Sequence, residues 1–342
     1  MASQSHASER DALTSRVLPS MTLAQGDDSK YTINSPATHT HPRDSAQGRF
    51  AVSGNAIVTG GTGAIGLKTA RAMLQHGLAG LMLLDLNADS SQRSIQELRD
   101  EFPSAKIEAM PVDVTNEEHV SAAVAETASR LGSVDVLVCF AGIVGCAHAL
   151  ETPASQFRRI LDVNATGSFI CAQAAARQMV RQGTGGRIVL TASVSAHRVN
   201  FPQPQAAYNA SKAAVVMLKS CLAAEWARYG ITVNSVSPGY MDTVLNAGEG
   251  LADARRTWCE RNPLGRMGLP EEVAGVVVML NLFQHHMSLS TNPPLQESAY
   301  RIGHAHLDAH RNVAKYMHVA NATYLLRAFR INVTGEPVRI SF

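Results

Sequence analysis

Short apolar runs alternate with amphipathic stretches along the chain from about residue 56 onward. The apolar runs predict buried strands at 56–60, 81–85, 107–112, 134–140, 187–192 and 231–236. The amphipathic stretches predict helices at 64–76, 91–101, 116–131, 154–181, 206–229 and 270–280. Regular strand–helix alternation indicates an α/β fold, with a doubly wound parallel sheet and right-handed crossovers. We therefore expect ligands at the carboxyl ends of the strands.

The two ends of the chain lack this alternation. Residues 1–50 are polar and poor in large apolar side chains, so we predict a disordered N-terminal arm. Residues 51–342 are predicted to form a single domain with an irregular, histidine-rich insertion at 281–322, which is either genuine protein or translated intron sequence. His304, His306 and His310 in the insertion have a spacing that could bind a metal, but no second set of ligands supports it, and we predict no metal site.

Composition excludes several classes of partner. The balance of 30 basic and 28 acidic residues leaves no electrostatic footprint for nucleic acid or for an anionic membrane. No apolar run approaches the roughly 20 residues that span a bilayer. Five cysteines without a Cys-x-x-Cys pair predict free thiols in a reducing compartment. We therefore expect a cytoplasmic protein with no nucleic-acid or membrane partner.

A glycine-dense turn joins the first predicted strand to its helix, and it reads Thr59-Gly60-Gly61-Thr62-Gly63-Ala64-Ile65-Gly66. Small residues let the backbone approach a pyrophosphate, which would rest on the N–H groups and positive dipole of the helix N-terminus. Asp85 ends the second predicted strand, where a carboxylate can accept hydrogen bonds from a ribose 2′-OH and would repel a 2′-phosphate. The pattern predicts a dinucleotide site that prefers NAD to NADP.

A second motif places a phenol beside an amine. Tyr208 and Lys212 lie four residues apart, so on a helix both side chains project from the same face. The pKa of a phenol is ordinarily about 10, and an ammonium one turn away favours the phenolate and lowers that pKa. A hydroxyl from a separate strand end could hold the substrate oxygen while Tyr208 moves its proton.

Together the two motifs resemble those of the short-chain dehydrogenase/reductase family, Thr-Gly-x-x-x-Gly-x-Gly and Tyr-x-x-x-Lys, with Ala64 where the family more often has Gly. The resemblance covers about residues 52–280 and implies a Rossmann fold with an NAD(P) cofactor. It implies catalytic roles for Asn164, Ser193, Tyr208 and Lys212. It also implies cofactor contacts from Thr59, Gly60, Ala64, Ile65, Gly66, Asp85, Asp113, Val114, Ala141, Gly142, Tyr208, Lys212, Pro238, Gly239 and Thr243.

Three positions leave alternatives open or depart from the family. Asp113 would bind the adenine edge of the cofactor, although a turn carboxylate is an equally good interpretation. The family's Asn-Asn-Ala-Gly is replaced by Cys139-Phe140-Ala141-Gly142, which removes the hydrogen bonds of both asparagines. Ser195 has the commoner spacing of thirteen residues before Tyr208, but Ser193 occupies the motif position after the strand, and we prefer Ser193.

Within the family, residues 202–212, 224–227 and 237–268 are similar to fungal polyol dehydrogenases that interconvert D-arabinitol and D-ribulose with NAD. The alternatives are an NADPH-dependent reductase of xylulose or fructose, and a non-catalytic cofactor-binding protein disabled by the C-terminal insertion. Residues 244–267 are expected to form a mobile loop over the substrate. The resemblance also implies a homo-oligomer, dimer or tetramer, unless the insertion prevents association.

Overall fold

A computed structural model describes residues 50–282, together with 19–21 and 48. The predicted disordered arm lies almost wholly outside the described residues. The predicted insertion, all but its first two residues, and the tail that follows it also lie outside them.

Six parallel strands form one sheet in the described part of the chain. They are β1 Asn55–Thr59, β2 Gly80–Asp85, β3 Lys106–Pro111, β4 Val136–Cys139, β5 Gly186–Thr191 and β6 Ile231–Val236. Their order is β3-β2-β1-β4-β5-β6, so successive strands are added first on one side of β1 and then, from β4 onward, on its other side. The doubly wound Rossmann architecture is confirmed, and each predicted strand is found within a residue or two.

Helices cover both faces of the sheet. The described α-helices are α1 Ala64–Gln75, α2 Gln92–Glu101, α3 Glu117–Leu131, α4 Ala154–Leu161, α5 Gly167–Gln182, α6 Ala206–Trp226, α7 Ala252–Glu260 and α8 Pro270–Leu282. One apolar core lies between the sheet and α3, α5 and α6, and the other between the sheet and α1, α2 and α8. Successive side chains of a strand enter opposite cores, so Ile57 packs in the first and Val58 in the second. Because both faces are covered, the edge formed by the strand ends is where ligands can enter.

Two predicted segments differ from the structure. The single helix predicted over 154–181 is divided by a π-helical turn at Asp162–Thr166, between α4 and α5. The segment predicted as a loop over 244–267 contains two short 3₁₀ turns and α7. Trp258 is the buried side chain of α7, so the helix has too few apolar positions for the period of 3.6 residues to be visible in the sequence. All five cysteines are free thiols, as predicted.

Candidate active site

The glycine turn after β1 is closed by backbone packing that excludes larger side chains. Gly60 has φ of +61°, and a Cβ there would lie 2.7 Å from the backbone nitrogen of Ala141. A Cβ at Gly66 would lie 2.4 Å from the carbonyl oxygen of Gly60. Two glycines of the predicted motif are thus required by the fold of the turn itself, which brings Thr59, Gly60 and Ala141 together. Ala64, the departure from the family pattern, is exposed and its methyl group is accommodated.

The N-terminus of α1 fits an anion. Its cap residue is Gly63, no side chain caps it, and its first turn holds no acidic residue. The first N–H groups of a helix have no acceptor within the helix and carry a partial positive charge. By contrast, α3 is capped by Asn116, which accepts from the His119 N–H, and carries Glu117 and Glu118 in its first turn. The α1 terminus therefore suits the pyrophosphate of a dinucleotide, with Ala64, Ile65 and Gly66 supplying the N–H groups.

Asp85 lies beside this turn. One of its carboxylate oxygens accepts a hydrogen bond from the Thr62 N–H at 3.2 Å, and the other accepts from the Asn87 N–H at 3.4 Å. Both contacts are long, so the carboxylate retains acceptor capacity. A hydroxyl group of a ribose attached to a pyrophosphate on α1 would meet a negative charge here.

Asp113 is held as a turn carboxylate. It accepts from the Thr115 N–H at 2.9 Å and from the Thr115 hydroxyl at 2.7 Å, and these two bonds lower the pKa of Asp113. Its neighbour Val114 packs against Gly167 at the start of α5, where a Cβ would lie 2.9 Å from a Val114 methyl group. The turn interpretation is thus present in the structure, and the adenine contact of Asp113 and Val114 stays a prediction.

Asn164 lies in the π-helical turn and is fully buried. Its side-chain oxygen accepts from the Ile143 N–H at 2.8 Å, while its amide nitrogen donates to the Ile143 carbonyl at 2.9 Å and to the Ser211 hydroxyl at 3.0 Å. The turn therefore fastens the loop after β4 to helix α6. A Cβ at Gly142 would lie 3.1 Å from the Asn164 side-chain oxygen and 3.6 Å from the Lys212 Nζ, so the loop brings these residues together.

Of the two candidate serines, Ser193 lies next to the phenol. The Ser193 hydroxyl lies close enough to Tyr208 to lower the pKa of its phenol. Ser195 lies behind it: its backbone N–H donates to the Ser193 oxygen at 3.1 Å, and the two hydroxyls are 3.1 Å apart. The geometry therefore favours Ser193 for substrate contact and gives Ser195 a supporting position.

Burial sets the ionisation of Tyr208 and Lys212. Burial raises the pKa of Tyr208, against the effect of the Ser193 hydroxyl, which lowers it. Lys212 is 4% exposed, its Nζ donates to the Thr191 carbonyl at 2.7 Å, and burial lowers its pKa to about 8. The lysine Nζ lies 5.7 Å from the centroid of the Tyr208 ring. The predicted pairing of phenol and amine is present, but the Tyr208 pKa is shifted upward rather than downward because desolvation is the largest effect.

The segment that follows β6 lies at the same end of the sheet. Pro238 accepts a hydrogen bond from the Val194 N–H at 3.0 Å, which joins the end of β6 to the loop that carries Ser193. Tyr240 follows Gly239 and stacks on Trp258 with ring centroids 4.2 Å apart. Thr243 lies three residues further on and precedes the 3₁₀ turn Val244–Asn246.

Several of these groups were missed by the sequence analysis. They are Ile143, which binds Asn164 through its backbone; Thr191, which binds Lys212 through its carbonyl; and Ser211, Tyr240 and Trp258. Backbone partners leave no signature in residue type. Ser211 could have been noticed, because it lies between Tyr208 and Lys212 in the motif.

No cluster of three or more potential metal-ligating side chains occurs in the described part of the chain, and the three histidines of the predicted insertion lie outside it. Among residues 50–282, no helix has the length and apolar character needed to cross a bilayer.

Sequence comparisons identify relatives over this same region. The family model described as Enoyl-(Acyl carrier protein) reductase matches residues 61–284, well over half of the chain. D-arabinitol 2-dehydrogenase (ribulose-forming) of Candida tropicalis is 35% identical over 237 residues, which are 66% of this chain and 84% of that protein. Galactitol 2-dehydrogenase (L-tagatose-forming) of Cereibacter sphaeroides is 39% identical over 226 residues, 66% of this chain and 86% of that protein.

Solved structures share the fold. A short-chain type dehydrogenase/reductase from Mycobacterium marinum has a TM-score of 0.66 at 41% identity, over 69% of this chain and 92% of that one. NAD⁺-bound xylitol dehydrogenase has a TM-score of 0.61 at 31% identity, over 68% and 93%. A gluconate 5-dehydrogenase from Burkholderia cenocepacia, in complex with NADP and tartrate, has a TM-score of 0.62 at 33% identity, over 69% and 91%. The chain belongs to the short-chain dehydrogenase/reductase family and is an NAD(P)-dependent alcohol dehydrogenase.

Proposed function

We propose that this protein interconverts a polyol and a ketose with NAD, the substrate pair being D-arabinitol and D-ribulose. The observation that carries the proposal is the closeness of Ser193 to Tyr208, with Lys212 one turn along the helix. Beside them lie the side-chain amides of Asn200 and Gln203 and the hydroxyl of Tyr240. These amide and hydroxyl groups can form hydrogen bonds with a substrate that carries many hydroxyls. Relatives named for D-arabinitol and galactitol support the same substrate class.

NAD is proposed over NADP because of Asp85. Its carboxylate lies beside the glycine turn, where it can accept hydrogen bonds from ribose hydroxyls and would repel a 2′-phosphate. The relatives of known structure include one bound to NAD⁺ and one bound to NADP, so this preference rests on the residue in this chain.

The proposed chemistry assigns one task to each side chain. The bound nicotinamide supplies the hydride acceptor for alcohol oxidation. Ser193 donates a hydrogen bond to the substrate oxygen, and Tyr208 takes the proton of the alcohol as phenolate or returns it to the ketose as phenol. Lys212 places a positive charge near the phenolate, and Asn164 holds the loop after β4 against helix α6.

The ionisation of Tyr208 makes the rates of the two directions depend on pH in opposite ways. Because burial raises the pKa of Tyr208, its hydroxyl is protonated at neutral pH and ready to donate to a carbonyl oxygen. Oxidation of the alcohol requires the phenolate and becomes faster as the pH rises. The predicted homo-oligomer and cytoplasmic location remain part of the proposal.

Initial rates with a panel of polyols test the proposal. D-arabinitol, xylitol, mannitol and sorbitol are each assayed with NAD⁺ and with NADP⁺, and the expected result is a preference for D-arabinitol with NAD⁺. Tyr208→Phe is the matched variant, which should lose turnover while its Kd for NAD⁺ stays nearly unchanged. A wild-type protein that binds NADH and oxidises none of the four polyols contradicts the proposal. A preference for NADP⁺ would favour the ketose reductase of xylulose or fructose instead.

A further inference from the structure

Tyr240, in the bend after β6, is held by side chains from two other segments of the chain. Its ring stacks on Trp258 with ring planes 6° from parallel. The Trp258 indole N–H donates to the Gln203 side-chain oxygen at 3.1 Å, and the Gln203 amide nitrogen lies 2.9 Å from the Tyr240 hydroxyl. Stack and hydrogen bonds form a closed ring of three residues, so the position of the Tyr240 oxygen is fixed.

The orientation of the Gln203 amide follows from chemistry. An indole N–H can only donate a hydrogen bond, so the oxygen end of the Gln203 amide must face Trp258. Its NH₂ end therefore faces Tyr240 and donates to the phenol oxygen. Asn200 donates a second hydrogen bond to the same oxygen through its amide nitrogen at 2.9 Å.

Two donors saturate the acceptor capacity of the Tyr240 oxygen. A phenol has one further hydrogen-bonding function, its own proton, and neither amide nitrogen can accept it. With both amides in these orientations, the Tyr240 proton has no acceptor in the cluster and can be donated to another group, while the Asn200 side-chain oxygen is buried without a hydrogen-bond partner. Tyr240 lies close enough to Tyr208 that a negative charge on Tyr240 would raise the pKa of Tyr208. Burial raises the pKa of Tyr240 as well, so its phenol keeps its proton.

We infer that Tyr240 is a specificity-determining residue, whose hydroxyl proton is donated to a substrate hydroxyl oxygen beyond the reacting carbon. The inference rests on the proposed function, since it requires a polyol or a ketose with further hydroxyls. Tyr208 and Ser193 handle the reacting oxygen, and Tyr240 distinguishes a polyhydroxy chain from a simple alcohol. Asn200 and Gln203 act through Tyr240 and are positioning residues.

Steady-state kinetics of full-length variants test the inference. Tyr240→Phe retains the stack and removes the donor, so the KM for D-arabinitol should rise about 3- to 10-fold, the value of one hydrogen bond. The kcat should remain within about 2-fold, since the reacting oxygen is untouched. Gln203→Glu is the second variant: its carboxylate still accepts from Trp258 and also accepts the Tyr240 proton, so the KM should rise without loss of the phenol.

Tyr229→Phe is the matched control, because Tyr229 packs against the core beyond the end of α6 and should show unchanged kinetics. The Kd for NAD⁺ and the Tm are measured for each variant. If Tyr240→Phe does not fold, Gln203→Glu decides alone. An unchanged KM in the folded variants, or a fall in kcat at constant KM, overturns the inference while the proposed function stands. A wild-type protein without polyol activity overturns both.

Discussion

A cation is buried at the amino ends of the strands and another at their carboxyl ends, which are called here the amino edge and the carboxyl edge. The two cations differ in the hydrogen bonds that they make. At the amino edge, the guanidinium of Arg187 on β5 donates to the carbonyls of Asn281 at 2.5 Å and Ser53 at 2.8 Å. Burial lowers the pKa of Arg187, and the negative charge of Asp135 raises it. At the carboxyl edge, the ammonium of Lys212 donates to the carbonyl of Thr191, and burial lowers its pKa to about 8.

Asp135 at the amino edge and Asp85 at the carboxyl edge also differ in the hydrogen bonds that their carboxylates accept. Asp135 accepts from the Asn55 N–H at 2.8 Å and from the Ser133 hydroxyl at 2.5 Å, and it faces Arg187. Asp85 has two long contacts to backbone N–H groups. The amino edge therefore satisfies its charges internally and ties together strands distant in sequence. The carboxyl edge leaves its charges incompletely satisfied, which costs stability and leaves them available for a cofactor and a substrate.

Lys212→Met should give the largest effect on activity. Removing the charge near Tyr208 should lower kcat/KM about 10²- to 10⁴-fold, the usual contribution of a proton-transfer group. Lys219→Met is the matched control, because Lys219 is also buried on α6, seven residues further on, and burial also lowers its pKa. Polyol oxidation rates of the two variants are compared at saturating NAD⁺. Equal losses in both would mean that buried lysines of α6 matter for folding and that Lys212 has no special role.

Arg187→Met should have the opposite effect to Lys212→Met: a large loss of stability and little loss of activity per folded molecule. Two carbonyls would be left without their donor, and Asp135 would lose its counter-charge, at a cost of about 3 kcal/mol. In a domain of this size, the Tm should fall by about 6–12 °C. Thermal unfolding followed by circular dichroism measures the shift. Arg187→Lys should recover part of it, since a lysine keeps the charge but lacks the fork that reaches both carbonyls. A change in Tm below about 2 °C would contradict the comparison.

The sequence predicted those parts of the molecule whose structure depends on residues close together in the chain. The strands β1, β2, β4 and β5 are short apolar runs buried on both faces. The glycine turn is required by close approaches of the backbone at Gly60 and Gly66. The spacing of Tyr208 and Lys212 on one helix face was also readable, because it depends on the period of the helix alone.

Tertiary contacts decided the remainder. The family resemblance implies a kink in the helix at Asn164, but the residue pattern does not show the π-helical turn at Asp162–Thr166, since the bonds of Asn164 to Ile143 and Ser211 become visible only in the fold. The sequence places Arg187 in a strand but does not predict its hydrogen bonds, because its partners Ser53 and Asn281 lie 134 and 94 residues away. The direction of the Tyr208 pKa shift depends on desolvation, which spacing does not reveal.

Asp85→Asn should sharpen the comparison of the two carboxylates. Removing a charge that is weakly satisfied should barely change the Tm, while the repulsion of a 2′-phosphate is lost. A surface repulsion of roughly 1–2 kcal/mol corresponds to an increase of about 10-fold in kcat/KM for NADP⁺ relative to NAD⁺. Glu97→Gln is the control, since it removes an exposed carboxylate on α2, the helix after β2. An unchanged cofactor ratio in Asp85→Asn would show that Asp85 does not face the ribose.

The prediction most specific to the carboxyl ends of the strands concerns how the free-energy cost of burying the Lys212 ammonium depends on pH. Its pKa in the folded protein is about 8, below its ordinary value of 10.5. Below pH 8 both states hold the proton, so the cost of burying the charge is fully present, at about 3 kcal/mol. Between pH 8 and 10.5 the unfolded chain binds more protons than the folded one, and the unfolding free energy rises with pH. The Tm advantage of Lys212→Met over wild type should therefore be largest near pH 7 and decline toward pH 10. Arg187→Met should show no such decline, because an arginine keeps its proton throughout this range. Thermal unfolding of the three proteins at pH 7, 8, 9 and 10 measures the difference, and a constant gap between Lys212→Met and wild type would mean that Lys212 is not buried as a charged amine.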